Sequence, residues 1–184
     1  YMTPDRGSAV NYSNISMTPS KAIDKYLAEI NDKVIAMYKG LGFTDGVLFM
    51  QGYYDGRRIT FFEMGCRLGG SYYNHQRACL GHNAIDMVVR FALSGKMTNE
   101  IDSIPIDIAK YKGKYALDCD YLLKGSDETI AKIVGLEEIR KMDGIVEIQQ
   151  FHDVGYHYVK DRTVDKCIVD IEIVCNSKEE VIEK

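Results

Sequence analysis

The apolar positions that follow residue 22 predict an amphipathic helix. They recur at three- and four-residue steps, the spacing of one helical face. Thr18-Pro19 is typical of an N-cap followed by proline at the first helical position, and Gly40 and Gly42 end the pattern. Residues 1–17 show no such periodicity and are predicted as a loop or ordered arm. The apolar positions of the helix are Ile23, Tyr26, Leu27, Ile30, Val34, Met37 and Tyr38.

Two runs of β-branched and aromatic residues predict a β-hairpin. They span residues 46–54 and 57–65, and Asp55-Gly56 lies between them as a turn dipeptide. A glycine-bearing loop is predicted over residues 65–76, and a second helix from Asn83 to Gly95. The apolar positions predicted to face inward from that second helix are Ile85, Val88, Val89, Ala92 and Leu93.

The last third of the chain has the pattern of short strands. Its final strand alternates, which predicts Cys167, Val169, Ile171 and Ile173 on one face and Asp170 and Glu172 on the other. The predicted fold class is α+β, a mostly antiparallel sheet flanked by helices with a smaller strand-rich C-terminal region. The predicted strands cover 115–123, 145–151, 155–160 and 166–174, with a helix at 136–141, and the predicted domains cover 1–17, 18–112 and 113–184, with the split near 100–114.

Composition excludes several classes of protein. The 184 residues are 46% hydrophobic and 27% charged, which is typical of a globular domain. Lys and Arg number 23 against 27 Asp and Glu, so the basic surplus of a nucleic-acid-binding module is missing. No apolar run reaches the ~18–20 residues of a membrane span. Five cysteines without a C-x-x-C pair favour reduced thiols, and we therefore expect a cytoplasmic protein.

Both ends of the sequence look cut. The first residue is Tyr1, and Ser177 and Glu180 have the spacing of a capping box with fewer than two helical turns after it. We therefore expect a piece of a longer enzyme.

One dense group of polar residues lies in the hairpin and the loop after it: Gln51, Glu63, Arg67, Gly69 and Gly70. Glu63 ends a very apolar strand, where a carboxylate is costly unless it is paired, hydrogen-bonded or bound to a metal. Gln51 and Glu63 share a face only if the hairpin loop has three or five residues, because a tight two-residue turn puts them on opposite faces. An ordinary Glu63–Arg67 salt bridge is the plain alternative.

These residue types suit a magnesium and phosphate site. Mg²⁺ takes oxygen ligands from one or two side chains and completes its shell with water and phosphates, which Glu63 and Gln51 would allow. Arg67 can grip a phosphate or carboxylate with two hydrogen bonds. Gly69-Gly70 lets the backbone come close to a ligand.

The stretch 46–70 resembles the C-terminal half of an ATP-grasp domain. The Glu-x-Asn-x-Arg motif of that superfamily stands here as Glu63-Met64-Gly65-Cys66-Arg67. Glycine at the middle position and the following Gly-Gly pair resemble carboxylate–amine ligases, and Gln51 is similar to the carbamoyl-phosphate synthase large subunit. The resemblance covers residues 15–97, and more loosely 125–148 as the small region that follows the grasp domain.

The resemblance implies an ATP-dependent ligase that forms an acyl phosphate on a small carboxylate substrate. It implies ATP and Mg²⁺ as cofactors, with Mn²⁺ as a substitute ion. Glu63 and Gln51 would hold the metal, and Arg67 would be catalytic and contact phosphate. Gly69 and Gly70 would contact the ligand through backbone amides. No nucleic-acid or membrane partner is expected, and a homo-oligomer is left open.

Two departures from the family pattern qualify this expectation. Gly65 replaces the Asn that completes metal coordination, and the N-terminal lobe and lid that hold ATP have no counterpart in this sequence. The chain alone is therefore expected to be inactive. A non-catalytic interaction module derived from the ATP-grasp fold, and a plain α+β domain, are the alternatives.

Overall fold

The structure, a computed structural model, describes residues 15–70, 73–97, 109–123, 127–159 and 167–184. The chain forms two units. One contains the first strand and the chain from Lys114 onward, and the other is Pro19–Gly113. The predicted arm over 1–14 and the predicted split over 100–108 lie outside the described residues.

The Pro19–Gly113 unit carries the hairpin between two pairs of helices. A single turn of 3₁₀ helix, Tyr111–Gly113, closes the unit. Its other elements are α1 (Ile23–Glu29), α2 (Asn31–Gly40), β2 (Phe49–Tyr54), β3 (Ile59–Gly65), α3 (Tyr73–Leu80) and α4 (Ala84–Ser94).

The predicted first helix is two helices. Ile30, with φ −126° and ψ −41°, leaves helical geometry and separates α1 from α2. The predicted N-cap at Thr18 is wrong, because Thr18 is the last residue of a strand. Ser20 instead accepts a hydrogen bond from the backbone N–H of Ala22 through its side chain, at 3.2 Å.

The second predicted helix is confirmed in its bounds. Asn83 caps α4, and Asp86 completes the capping box by accepting a hydrogen bond from the Asn83 backbone N–H. Gly95 ends the helix with φ +71°. The predicted inward orientation is wrong for four of its five positions, which are exposed: Ile85, Val89, Ala92 and Leu93. Val88 is half-buried. α3 begins at Tyr73, inside the segment predicted as a loop.

The second unit is built on a four-stranded antiparallel sheet in the order β1-β4-β8-β6. Two further short strands pair with each other, and a short helix follows the last strand. Its elements are β1 (Ile15–Thr18), β4 (Tyr115–Leu122), β5 (Glu128–Thr129), α5 (Leu136–Ile139), β6 (Ile145–Gln150), β7 (His157–Tyr158), β8 (Cys167–Cys175) and α6 (Lys178–Glu183).

The two faces of this sheet differ in chemistry. Apolar side chains of β4, β6 and β8 form a core with Val181 of α6. The opposite face carries Asp118, Asp120, Asp170 and Glu172, which are cross-strand partners on β4 and β8. The buried members of the core are Leu117, Ile148, Val169, Ile171, Ile173, Cys175 and Val181.

The predicted alternation of β8 is confirmed except at its first residue. The register between β4 and β8 shifts at Tyr121/Leu122, so that Leu122 pairs with Cys167. Directly opposed residues share a face, which places Cys167 on the acidic face. Its thiol donates a hydrogen bond to Asp120 Oδ1 at 3.2 Å, and Ile168 packs against the apolar core instead.

The predicted α+β class with a mostly antiparallel sheet is confirmed. The prediction of a loop or arm over 1–17 is wrong for residues 15–17, which pair with β4 in strand β1. Residues 160 and 166, at the ends of two predicted strands, lie outside the described residues. Among the helices that the structure describes, none is long and apolar enough to cross a membrane.

Candidate functional site

Gln51 and Glu63 are direct cross-strand partners in the β2–β3 hairpin. Directly opposed residues of an antiparallel pair project from the same face with their Cβ atoms about 4.5–5.5 Å apart. Both side chains are exposed. The hairpin therefore brings an amide oxygen and a carboxylate together on an open surface.

The hairpin achieves this pairing by a different route from the one predicted. Tyr54 pairs with Ile59, and Asp55 N–H donates to Arg58 C=O at 3.3 Å, so Gly56 and Arg57 form a tight two-residue turn. A loop of three or five residues, which the sequence argument required, is therefore wrong.

A β-bulge restores the shared face. The register shifts between Gln51 and Gly52, so that Gln51 pairs with Glu63 while Gly52 pairs with Phe61. Phe62 is the extra residue of the bulge. One inserted residue changes which side chains share a face, because side chains alternate along a strand.

The turn that anchors this register is closed by Asp55. Its carboxylate accepts hydrogen bonds from the backbone N–H groups of Arg58 and Arg57, each at 2.7 Å. These bonds lower the pKa of Asp55. Gly56 has φ +94°, which fits the first central position of a type II′ turn.

The two faces of the hairpin have different surroundings. One face, with Met50, Ile59 and Phe61, lines an apolar cavity of about 440 Å³ together with side chains of α1 and α2. On the other face, which carries Gln51 and Glu63, the rings of Tyr53 and Phe62 lie 4.7 Å apart. The candidate site is therefore on the face that α1 and α2 do not cover.

Arg67 lies over an aromatic ring. Its guanidinium carbon is 4.1 Å from the ring centroid of Phe49, and its NH1 donates to the Leu68 carbonyl at 2.9 Å. Within the described residues, Glu63 and Arg67 form no ion pair with each other. The geometry thus does not support the plain salt-bridge alternative.

Gly65 stands where the family motif has Asn, and Phe49 fills the space beside it. A Cβ atom at residue 65 would lie 2.4 Å from Phe49 Cε1 and 3.0 Å from Cζ. Such distances are far shorter than van der Waals contact, so an Asn side chain does not fit unless the ring moves. The ring of Phe49, across the hairpin, therefore occupies the space that an Asn side chain at residue 65 would need.

Gly69 and Gly70 are exposed, after the end of β3. Within the part of the chain that the structure describes, nothing lies within 4 Å of where a Gly69 side chain would begin, which leaves room for a ligand. The Gly69 carbonyl accepts a hydrogen bond from the Tyr73 hydroxyl at 3.1 Å, which ties the loop to α3.

The bulge depends on a glycine. A Cβ atom at residue 52 would lie 2.8 Å from the backbone oxygen of Thr60, so we expect Gly52→Ala to destabilise the protein by about 1–3 kcal/mol. Urea unfolding measures the loss. Gly40→Ala, where nothing lies within 4 Å, serves as the control and should not destabilise. Equal stability of Gly52→Ala and the wild type would contradict the prediction.

The structure also places His75 and the cysteines. His75 is 1% exposed and its ring centroid lies 5.6 Å from that of Tyr111, which is typical of a structural histidine. None of the five cysteines forms a disulfide bond, as the sequence predicts. Cys66, beside Arg67, is exposed, whereas Cys79 is buried.

Sequence reasoning missed a group of carboxylates on the acidic sheet face. Oxygen atoms of Asp118, Asp120 and Asp170 lie within 4.8 Å of one another. Burial, a hydrogen bond with Asp170 and the negative charges of Asp170, Asp120 and Glu172 raise the pKa of Asp118 to about 8. Burial and the negative charges of Asp118, Asp170 and Asp120 raise the pKa of Cys119 to about 11. The alternating acids in 118–120 and 170–172 were the available signal.

The sequence matches no protein-family model and no curated protein. Solved structures do share the fold. L-amino acid ligase from Bacillus licheniformis is 20% identical over 94% of this chain and 41% of that chain, with a TM-score of 0.72. Phosphoribosylglycinamide synthetase from Anaerococcus prevotii is 15% identical over 96% of this chain and 43% of that chain, with a TM-score of 0.71.

A third similar structure was solved with nucleotide. The biotin carboxylase domain of Hydrogenobacter thermophilus 2-oxoglutarate carboxylase, in complex with MgADP, ADP and bicarbonate, is 16% identical over 93% of this chain and 36% of that chain, with a TM-score of 0.64. The chain thus spans about two fifths of the length of the structures it resembles. These likenesses confirm the resemblance to ATP-grasp ligases at the level of the fold.

Proposed function

We propose that this chain is part of an ATP- and Mg²⁺-dependent carboxylate–amine ligase, in which Gln51, Glu63 and Arg67 serve the phosphate end of the nucleotide. The observation that carries the proposal is the pairing of Gln51 with Glu63 on the open face of the hairpin. A bulge is needed to create that pairing, and it leaves a carboxylate exposed at the end of an apolar strand. The shared fold with ATP-dependent ligases supports the same assignment.

The donor set fits Mg²⁺ with an incomplete protein shell. Glu63 supplies a carboxylate oxygen and Gln51 an amide oxygen, both hard ligands, and both lie on an exposed face. Mg²⁺ keeps several waters and commonly binds one or two carboxylates together with substrate phosphates. A metal bound there would neutralise phosphate charge, and Mn²⁺ takes the same oxygen ligands.

Arg67 supplies a fixed positive charge to the same region. We infer that its guanidinium binds the transferring phosphoryl group or the acyl phosphate, while backbone amides of Gly69 and Gly70 contact the substrate. Phosphoryl transfer depends on positioning and charge neutralisation more than on a protein nucleophile.

The reaction class follows from these roles. A γ-phosphoryl group would pass from ATP to the carboxylate of a small substrate, giving an acyl phosphate and ADP. An amine would then attack the acyl carbon and release phosphate. The L-amino acid ligase that shares the fold suggests amino acids as the first substrates to test. We place such an enzyme in the cytoplasm, where ATP is available.

A non-catalytic interaction module is the second candidate. The neutral side chain of Gln51 and the glycine at residue 65 favour it, since both reduce the ligands offered to a metal. The intact exposed set of Glu63, Arg67 and Gly69 argues against it.

Calorimetry of MgATP binding to the full-length protein tests the proposal. We expect Glu63→Ala to weaken binding at least about tenfold, because the anionic ligand to the metal is lost. Glu128→Ala is the matched control, since Glu128 is an exposed glutamate on another short strand. Equal affinity of wild type and Glu63→Ala would favour the interaction module.

Cys66 offers a second readout of the same binding event. Its thiol is exposed and lies next to Arg67 in sequence, whereas burial raises the pKa of Cys119, Cys167 and Cys175. Iodoacetamide should therefore label Cys66 first, because the thiolate is the reactive form. MgATP should slow that labelling, and unchanged labelling would count against a nucleotide at this face.

A further inference from the structure

Phe49 contacts two residues of the candidate site at once. Its ring lies 4.1 Å from the guanidinium carbon of Arg67 on one side. Its edge lies 2.4 Å from where a Cβ atom of Gly65 would stand. Phe49 pairs with Gly65 across the hairpin and sits two residues before Gln51 on β2, so the ring is part of the same strand pair as the proposed metal ligands.

We propose that Phe49 is a positioning residue that holds the Arg67 guanidinium in place for its anionic ligand, and that residue 65 is glycine because this ring needs the space. The inference rests on the proposed function of Arg67. It adds a residue that no metal or phosphate contact would identify. It also gives Gly65 a role of its own in place of a lost metal ligand.

The contact suits this task because it leaves the hydrogen-bond donors of Arg67 available. A carboxylate partner would fix the guanidinium by taking its N–H groups and cancelling its charge. A ring face attracts the cation through the aromatic quadrupole and takes no N–H group. Among the described residues, only the Leu68 carbonyl takes a hydrogen bond from the Arg67 guanidinium, through NH1. The positive charge and the remaining donors stay free for phosphate.

The contact also limits the freedom of an exposed arginine. Arg67 has no carboxylate partner among the described residues, and its long side chain has many rotamers to lose when it contacts the transferring phosphoryl group. A ring that holds the guanidinium in advance reduces that loss in the transition state. The benefit should appear in the rate of phosphoryl transfer, where the position of the charge matters most.

Steady-state kinetics of the full-length protein, followed by ADP release with a panel of L-amino acids, test the proposal. We expect Phe49→Leu, which keeps apolar volume and removes the ring, to lower kcat about 2- to 30-fold. The KM for ATP should change less than about twofold, since binding relies on other groups. Phe49→Tyr keeps the ring face and should retain most of the wild-type kcat.

A double-mutant cycle separates positioning from a general structural effect. In an Arg67→Ala background, Phe49→Leu should have no further effect on kcat, because the guanidinium that Phe49 positions is no longer present. An equal loss in both backgrounds would overturn the proposal. Gly65→Ala should act like Phe49→Leu by displacing the ring, and Gly40→Ala, with open space around it, is its control.

A measurement that does not depend on enzyme turnover distinguishes failure of this inference from failure of the proposed function. In NMR spectra, the Arg67 side-chain Nε–H signal should show the upfield shift of a proton over a ring, and Phe49→Leu should abolish it. Absence of that shift in the wild type overturns the inference whatever the enzyme does. A shift that is present, with no effect of Arg67→Ala on turnover, overturns the role of Arg67 itself.

Discussion

Arg67→Ala is expected to lower kcat of the full-length protein by about 10²–10³-fold. The physical reason is the loss of a positioned positive charge at the phosphoryl group, where negative charge must be stabilised during transfer. In this structure the guanidinium is fixed over Phe49 and is not neutralised by Glu63. Its whole charge is therefore available to the reaction. ADP release in the presence of L-amino acids measures the effect.

Two further variants sharpen this prediction. Arg67→Lys keeps the charge but loses the planar fork and its stacking, so we expect a rate between those of the wild type and Arg67→Ala. Arg57→Ala removes an exposed arginine at the hairpin turn, away from the paired Gln51 and Glu63, and should leave kcat unchanged. A near wild-type rate for Arg67→Ala would exclude Arg67 from the catalytic machinery.

The elements of this fold followed well from local sequence. The Asp55-Gly56 dipeptide between two aromatic runs predicted the hairpin, and Asn83 and Gly95 marked both ends of α4. Turns and caps depend on residues close in sequence, so their signals are readable there. β1 was missed because it is four residues long and pairs with a strand about a hundred residues later.

The two errors about which face a strand residue occupies share one cause, a β-bulge. The bulge at Phe62 made the odd-loop argument fail, and the register shift at Tyr121/Leu122 turned Cys167 to the acidic face. A bulge is set by pairing between strands, and a single inserted residue reverses every later assignment of a face. The alternation of residues along one strand cannot show where the pairing register with its partner strand shifts.

The proximity of the carboxylates around Asp118 could not be predicted from the sequence for a related reason. Asp118 and Asp120 lie on β4, whereas Asp170 lies on β8 some fifty residues later, so their proximity depends on strand pairing. Each strand alone predicts an ordinary polar face. Only the register between them brings three carboxylates within 4.8 Å of one another.

Protein stability is expected to fall as pH rises from about 4 to about 8, and Asp118→Asn should remove most of that fall. In the folded state the pKa of Asp118 is about 8, against about 3.9 in an unfolded chain. Between these values the folded state keeps a proton that the unfolded state has released. Stability therefore declines with rising pH across this range, and the decline is complete above pH 8.

The magnitude is reduced because Asp118 is half-buried. We expect a loss of about 2 kcal/mol between pH 5 and pH 8, well below the value that the full shift would give without solvent screening. Asparagine has the same shape and cannot ionise, and its amide can donate to the Asp170 carboxylate. Asp118→Asn should therefore be about 2 kcal/mol more stable than wild type at pH 8 and nearly equal to it at pH 5.

Urea unfolding at a series of pH values measures the free energy of unfolding of the wild type and of Asp118→Asn as a function of pH. Asp143→Asn, a change at an exposed aspartate away from the acidic face, is the matched control and should follow the wild-type curve. Parallel curves for wild type and Asp118→Asn would show that Asp118 does not hold the extra proton. The acidic face and Glu63 belong to different units of the chain, so Asp118→Asn replaces no residue of the proposed ligase site.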